Sequence, residues 1–165
     1  MKTLRHWSKI FTLCCATSLL AAVAASAQTP ALDSSAKSDD APAVTYFSAA
    51  QVDASFAKGV SVLSPGPKGG NFIIMTARRS TPGLAEFHGK YADVIYVVEG
   101  TATLVTGGEI IGGKTTAPDE IRGDSIKGGE SRKLAKGDVV IIPNGMPHQF
   151  LGVTAPFLYY VVKVK

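Results

Sequence analysis

Gly137-Asp138-Val139-Val140-Ile141-Ile142-Pro143-Asn144-Gly145-Met146-Pro147-His148 is the stretch on which the reading of this chain turns. Four consecutive β-branched residues form a short strand, opened by Gly137-Asp138 and closed by Pro143. Pro143-Asn144-Gly145 then sets a sharp reversal, because proline fixes φ and glycine accepts left-handed backbone. His148 begins the next strand, and the reversal aims its side chain inward.

Upstream the texture is the same. Asn71 to Arg78, Leu84 to His88, Val94 to Val98, Thr101 to Thr106 and, downstream, Phe157 to Val164 are short β-branched or aromatic runs. Gly, Pro or Asn punctuates most of the gaps, and Glu99-Gly100 signals a tight turn. Many short strands with glycine-rich turns predict an all-β sandwich or barrel. One helix is expected, over about 49–58. Ser48 and Gln51 form a capping box, Val52 and Phe56 share a face, and Gly59 stops it. Thr106 to Leu134 is the irregular piece, with seven glycines, Pro118 and mixed charges. A long excursion of this kind reads either as a functional, mobile segment or as a hairpin extension packed over the barrel wall.

Beyond the N-terminal stretch the chain contains two histidines, His88 and His148. In Glu86-Phe87-His88 a carboxylate and an imidazole stand two apart on a strand, hence on one face. Asp93 follows where the chain should turn into the next strand. A buried histidine is often just a hydrogen-bonded core residue, but buried Asp and Glu need a partner or a metal.

The spacing Gly137-x5-Pro143-x-Gly145-x2-His148 resembles the second motif of the cupin family, G-x5-P-x-G-x2-H-x3-N, with Gly152 at the position of the asparagine. The first motif, G-x5-H-x-H-x3,4-E-x6-G, is matched in spacing more than in identity. Aligned on Gly100, Asp93 takes the place of its Glu, His88 of its second His and Glu86 of its first, while Ser80 replaces the opening Gly. The resemblance covers roughly Phe72 to Val162 and implies a jelly-roll, double-stranded β-helix barrel. It also implies one divalent metal ion, Mn, Fe, Ni or Zn, at His88, His148, Asp93 and Glu86. Oxygen can replace nitrogen around such ions, and two carboxylates would favour harder metals such as Mn²⁺ or Fe²⁺ over Cu²⁺. Glu86 is the least fixed of the four, readable as a ligand, as a partner of a ligand or as a general base.

Function stays open among three readings. Metal-centred relatives are dioxygenases, isomerases, epimerases or lyases acting on small oxygenated molecules. A non-catalytic module binding a sugar or small acid is the second reading, and a metal-free scaffold barrel the third. Small cupins commonly pair, so a homodimer is the expected assembly. Arg78 and Arg79 adjoin on a strand and face opposite ways. An inward arginine would suit a carboxylate or phosphate, whereas the plainer reading gives both to a solvent edge or a dimer interface. Tyr96, Tyr159 and Tyr160 read as core or interface aromatics, and Lys163 and Lys165 as edge charges.

The first 27 residues read as a secretory signal peptide. Lys2, Arg5, His6 and Lys9 precede an apolar run too short for a comfortable span, and Ala25-Ser26-Ala27 is a cleavage site. An uncleaved anchor is the alternative. A lipoprotein is rejected, since Cys14 and Cys15 come too early and follow Thr12-Leu13. Cleavage takes three of the 17 basic residues and none of the 13 acidic ones, leaving 14 against 13, a net charge of +1. That balance provides no field for nucleic acid or anionic lipid. Both cysteines leave with the leader, so a metal must be held by nitrogen and oxygen. Residues 28–43 are polar and aperiodic and read as a flexible lead-in to a single domain over 44–165. The expected location is the periplasm or the medium. N-terminal sequencing of exported protein should begin at Gln28; Met1, or a lipid on Cys15, would overturn this reading.

Overall fold

The computed structural model describes residues 43–165. The leader over 1–27 and all but the last residue of the lead-in over 28–43 lie outside the described residues.

Helix α1 spans Ala49–Ala57. Its capping box forms as the sequence predicts: Ser48 Oγ accepts from Gln51 N–H at 3.4 Å, and Gln51 Oε1 accepts from Ser48 N–H at 2.9 Å. Lys58 caps the other end, and Gly59 follows with φ +85°. The rest is strand. β1 (Ser61–Ser64), β2 (Phe72–Arg79), β3 (Ala85–His88), β4 (Ala92–Glu99) and β5 (Thr101–Thr106) come first. β6 (Glu109–Ile111), β7 (Lys114–Ala117), β8 (Glu120–Gly123), β9 (Ser125–Lys127) and β10 (Glu130–Ala135) follow. β11 (Val139–Ile142), β12 (His148–Leu151) and β13 (Phe157–Val164) complete the chain.

These strands pair antiparallel into a five-stranded sheet, β1-β2-β13-β4-β11, and a six-stranded sheet, β10-β5-β12-β3-β8-β7. β6 and β9 make a separate two-stranded ribbon. Burial alternates with period two, as it must when one sheet face is covered. On β4 the buried residues are Asp93, Ile95 and Val97, and on β13 they are Phe157, Tyr159 and Val161. The core joins the two sheets: Ala77, Ile95, Val97 and Val161 of one meet Leu104 and Phe150 of the other. Phe150, Phe157 and Tyr159 stack with ring centroids 5.0–5.6 Å apart. α1 lies on the opposite face of the five-stranded sheet, where Ser55 and Thr76 hydroxyls bond at 2.7 Å and Phe56 meets Tyr160 edge-on. Away from the helix, that face exposes Tyr96 of β4 and Val139 and Ile141 of β11.

The segment Thr106 to Leu134 is a hairpin extension with five strands in it, β6 to β10. β8 pairs with β3 and β10 with β5, so the excursion enlarges the six-stranded sheet. Two of its strands escape sequence reading because they lack a covered face. All four residues of β7 and five of the six in β10 are exposed, so no alternation marks them. Two further expectations need correction. Asp93 is the second residue of β4, not a turn residue. Lys163 is no edge charge: β13 runs between β2 and β4, and the Lys163 side chain is only 14% exposed.

Candidate functional site

β3 carries two of the expected residues, and its neighbours place the others. Cross-strand register sets Glu86 opposite His148 of β12 on one side and opposite Arg122 of β8 on the other. His88 stands opposite Glu120 of β8. Residues directly opposite in an antiparallel ladder project to the same face. The reversal Pro143-Asn144-Gly145 fixes where β12 starts. Gly145 N–H bonds the His88 carbonyl at 2.8 Å, the Asn144 amide reaches the Gly89 carbonyl at 3.2 Å, and Gly145 takes φ +76°. Asp93 comes from the other sheet.

Glu86, His88 and His148 converge, and Asp93 approaches both imidazoles from outside that triad. His88 Nε2 lies 3.4 Å from Glu86 Oε2 and 3.6 Å from Asp93 Oδ2. His148 Nε2 lies 3.8 Å from each of the same two oxygens. One donor atom apiece from Glu86, His88 and His148 falls within 4.8 Å of the others. Both histidines are 2% exposed and Asp93 is 4% exposed.

Each imidazole is held from behind. His88 Nδ1 bonds a Glu120 carboxylate oxygen at 2.5 Å, and His148 Nδ1 bonds the Met146 carbonyl at 3.1 Å. A carboxylate and a carbonyl only accept, so both Nδ1 atoms donate to these partners and both Nε2 atoms face the cluster. His88 Nε2 is buried and has no hydrogen-bond partner among the described residues. Burial also lowers the pKa of His148, which favours the neutral, electron-donating ring. For Glu86, burial alone would raise the carboxyl. The His88 ring, Arg122, His148 and Arg79 outweigh it and hold the pKa at about 2.

This donor set fits a divalent ion. Atoms bonded to one ion at about 2.0–2.2 Å stand roughly 3–3.6 Å apart in tetrahedral or octahedral arrangements, close to the separations here. Two imidazole nitrogens with carboxylate oxygens suit Mn, Fe, Ni or Zn. An orphaned buried nitrogen aimed at the gap is what a ligand histidine looks like without its ion, and the Glu120–His88 contact is the usual outer support of such a ligand.

Cations surround the cluster. Arg122 Nη1 lies 2.7 Å from Glu86 Oε2, and Lys163 Nζ donates to Asp93 Oδ1 at 2.8 Å, leaving Oδ2 toward the histidines. Arg79 points inward too, contrary to the solvent-edge expectation, with Nε donating to Tyr159 Oη at 2.8 Å. Burial pushes the Tyr159 phenol up to about 12, although Arg79 works against it. These groups adjoin a cavity of about 60 Å³ whose other wall is apolar, with Met75, Ala77, Ile95, Phe150 and Val161. Sequence reasoning missed Glu120 and Arg122, which sit in the irregular segment. The one available signal was Glu120-Ile121-Arg122, whose charged residues stand two apart as Glu86 and His88 do.

Residues 71–165 match the family model described as Cupin. No curated protein matches the chain. Among solved structures, BH2720 from Bacillus halodurans aligns with TM-score 0.51 at 12% identity, over 77% of this chain and 83% of that one. A Cupin 2 conserved barrel domain protein from Salinispora arenicola aligns with TM-score 0.44 at 23% identity, over 64% and 74%. Hydroquinone 1,2-dioxygenase from Sphingomonas sp. TTNP3 aligns with TM-score 0.48 at 11% identity, over 64% and 65%. Likeness at these identities speaks to the fold alone.

Glu120→Ala removes the support behind His88 without touching a donor atom. It should weaken binding of a divalent ion by about 10–100-fold, read by competition with a chromogenic chelator. Unchanged affinity would mean that Glu120 does not position the ring.

Proposed function

The chain belongs to the cupin family, and we propose that it holds one divalent metal ion among Glu86, His88, Asp93 and His148 and acts as a metal-dependent enzyme on a small oxygenated molecule. One observation carries the reading. Both imidazoles are tied at Nδ1, so that both Nε2 atoms meet two carboxylate oxygens at 3.4–3.8 Å, one nitrogen being buried without a partner.

The bound ion would supply Lewis-acid polarisation of a substrate oxygen. The protein's own groups divide the remaining work. Glu86, with a pKa of about 2, stays ionised and is too weakly basic for efficient proton abstraction near neutrality, which favours a ligand role over that of general base. Asp93 offers Oδ2 while Lys163 holds Oδ1, so its carboxylate cannot rotate away. Tyr159 keeps its proton and accepts from Arg79, leaving its O–H free to donate into the cavity. The apolar wall limits water around any molecule that enters. Action outside the cytoplasm is part of this reading and rests on the leader over 1–27 alone.

A metal-free scaffold is the second reading, and the ion pairs favour it. Glu86 and Asp93 are already matched to Arg122 and Lys163, so the carboxylates do not need a metal to be neutralised.

The two readings separate in one experiment. The native protein should carry about one equivalent of divalent metal, and His148→Ala should carry none. At free metal about a hundred times the dissociation constant, binding contributes about 2.7 kcal/mol to stability. Chelation should then lower the melting temperature by roughly 10 °C in a domain of this size and leave His148→Ala unmoved. Metal-free native protein, with the same melting temperature in the presence and absence of chelator, would establish the scaffold.

A further inference from the structure

Arg79 reaches Tyr159 through Nε and Glu86 through Nη2, and its Nη1 has no hydrogen bond among the described residues. Arg79, Arg122 and Lys163 line the cavity with Glu86 and Asp93, and Arg122 also lies 4.0 Å from Glu120. Lys163 and Arg122 lie 2.8 Å and 2.7 Å from Asp93 and Glu86. Arg79 makes one short bond, from Nε to Tyr159 Oη at 2.8 Å. Its Nη2 contact with Glu86 Oε1 is long, at 3.5 Å. A guanidinium has five N–H donors in a planar fork, so most of the donors of Arg79 lack a close partner among the described residues.

The fork is nevertheless held in place. It lies 5.6 Å from the Phe150 ring centroid and 5.9 Å from that of Tyr159. A Cβ on Gly83 would stand 2.7 Å from Arg79 Nη1, so the loop before β3 leaves room for this group by lacking a side chain. A pre-positioned planar fork beside an apolar wall is a receptor for a planar two-oxygen anion. The cavity beside the fork is small, about 60 Å³, and is lined by Glu86, Asp93 and His148 as well. At about 10–15 Å³ per water it holds roughly four to six non-hydrogen atoms.

We infer that the Arg79 guanidinium is a carboxylate seat, and that the molecule handled at the adjoining His88–His148 cluster is a carboxylic acid of two or three carbons. The first half stands on Arg79 alone; the second rests on the metal-dependent reading. A carboxylate on the fork would lay its short carbon chain along Phe150 and Val161 and turn its other oxygen toward the cluster.

Glycolate and glycolamide, matched in size and differing in charge, test the seat by calorimetric titration into native protein, Arg79→Gln and Gly83→Ala. Gly83→Ala displaces the guanidinium while keeping its charge, so it reports even where Arg79→Gln folds poorly. Metal content is measured on the same samples. Native protein should bind glycolate at least about tenfold more tightly than glycolamide, and both variants should lose that preference. No glycolate binding by native protein overturns the inference. So does equal affinity for the pair, a preference surviving in both variants, or inorganic phosphate displacing glycolate at equal concentration. A glycolate preference in metal-free protein keeps the seat and sinks the metal reading. Bound metal without the preference sinks the seat alone.

Discussion

The site depends on the register of one short strand. β3 is four residues long, and its ladder partners dictate what surrounds the two functional side chains: Arg122 and His148 flank Glu86, and Glu120 faces His88. Side chains alternate with period two, so a slip of one residue would turn Glu86 and His88 to the wrong face and separate all four groups. Backbone bonds at both neighbours prevent this. Gly145 N–H locks the end of β3 to the reversal before β12, and Gly89 N–H bonds the Asp119 carbonyl at the start of β8 at 2.7 Å. The glycine-rich excursion therefore belongs to the site, because it brings the strand that backs it.

That register also resolves an electrostatic problem. Five charged side chains face a small cavity in a largely apolar interior, where an unpaired charge would be costly. The fold meets each carboxylate with a cation from a neighbouring strand: Arg122 beside Glu86, and Lys163 directly opposite Asp93 on β13. The pairing leaves specific atoms unspent. Asp93 keeps one oxygen toward the histidines, His88 keeps Nε2, and Arg79 keeps most of its fork. The chemistry proposed for the protein uses those unspent atoms. Beneath them the stacked rings of Phe150, Phe157 and Tyr159 give the cluster a stiff apolar floor.

Much of this was legible in the sequence where local chemistry determines local geometry. Pro143-Asn144-Gly145 announces a reversal whatever the rest of the chain does, and the Ser48/Gln51 cap announces the helix. Glu86 and His88, two apart in a short extended run around Phe87, must share a face. What escaped depends on strand order, which no local pattern encodes. Lys163 looks like an edge charge until β13 is found between two neighbours. Yet Phe157, Tyr159, Val161 and Lys163 recur at period two, and that alone puts Lys163 on the inner face. Arg79 follows Met75 and Ala77 inward by the same count. Glu120 and Arg122 were hidden because β8 is short, carries charged residues on its inner face and is flanked on one side by the wholly exposed β7, so no apolar alternation marks it.

The central claim is that two imidazole nitrogens and the carboxylate oxygens between them hold a divalent ion. X-ray absorption at the metal edge of protein loaded with Mn²⁺ or Fe²⁺ tests this most directly. The account predicts an inner shell of oxygen and nitrogen near 2.0–2.2 Å. It further predicts the outer-shell scattering of two imidazole rings, and a His88→Ala protein that takes up no stoichiometric metal. A spectrum without imidazole scattering, or one identical to the hydrated ion, would contradict it.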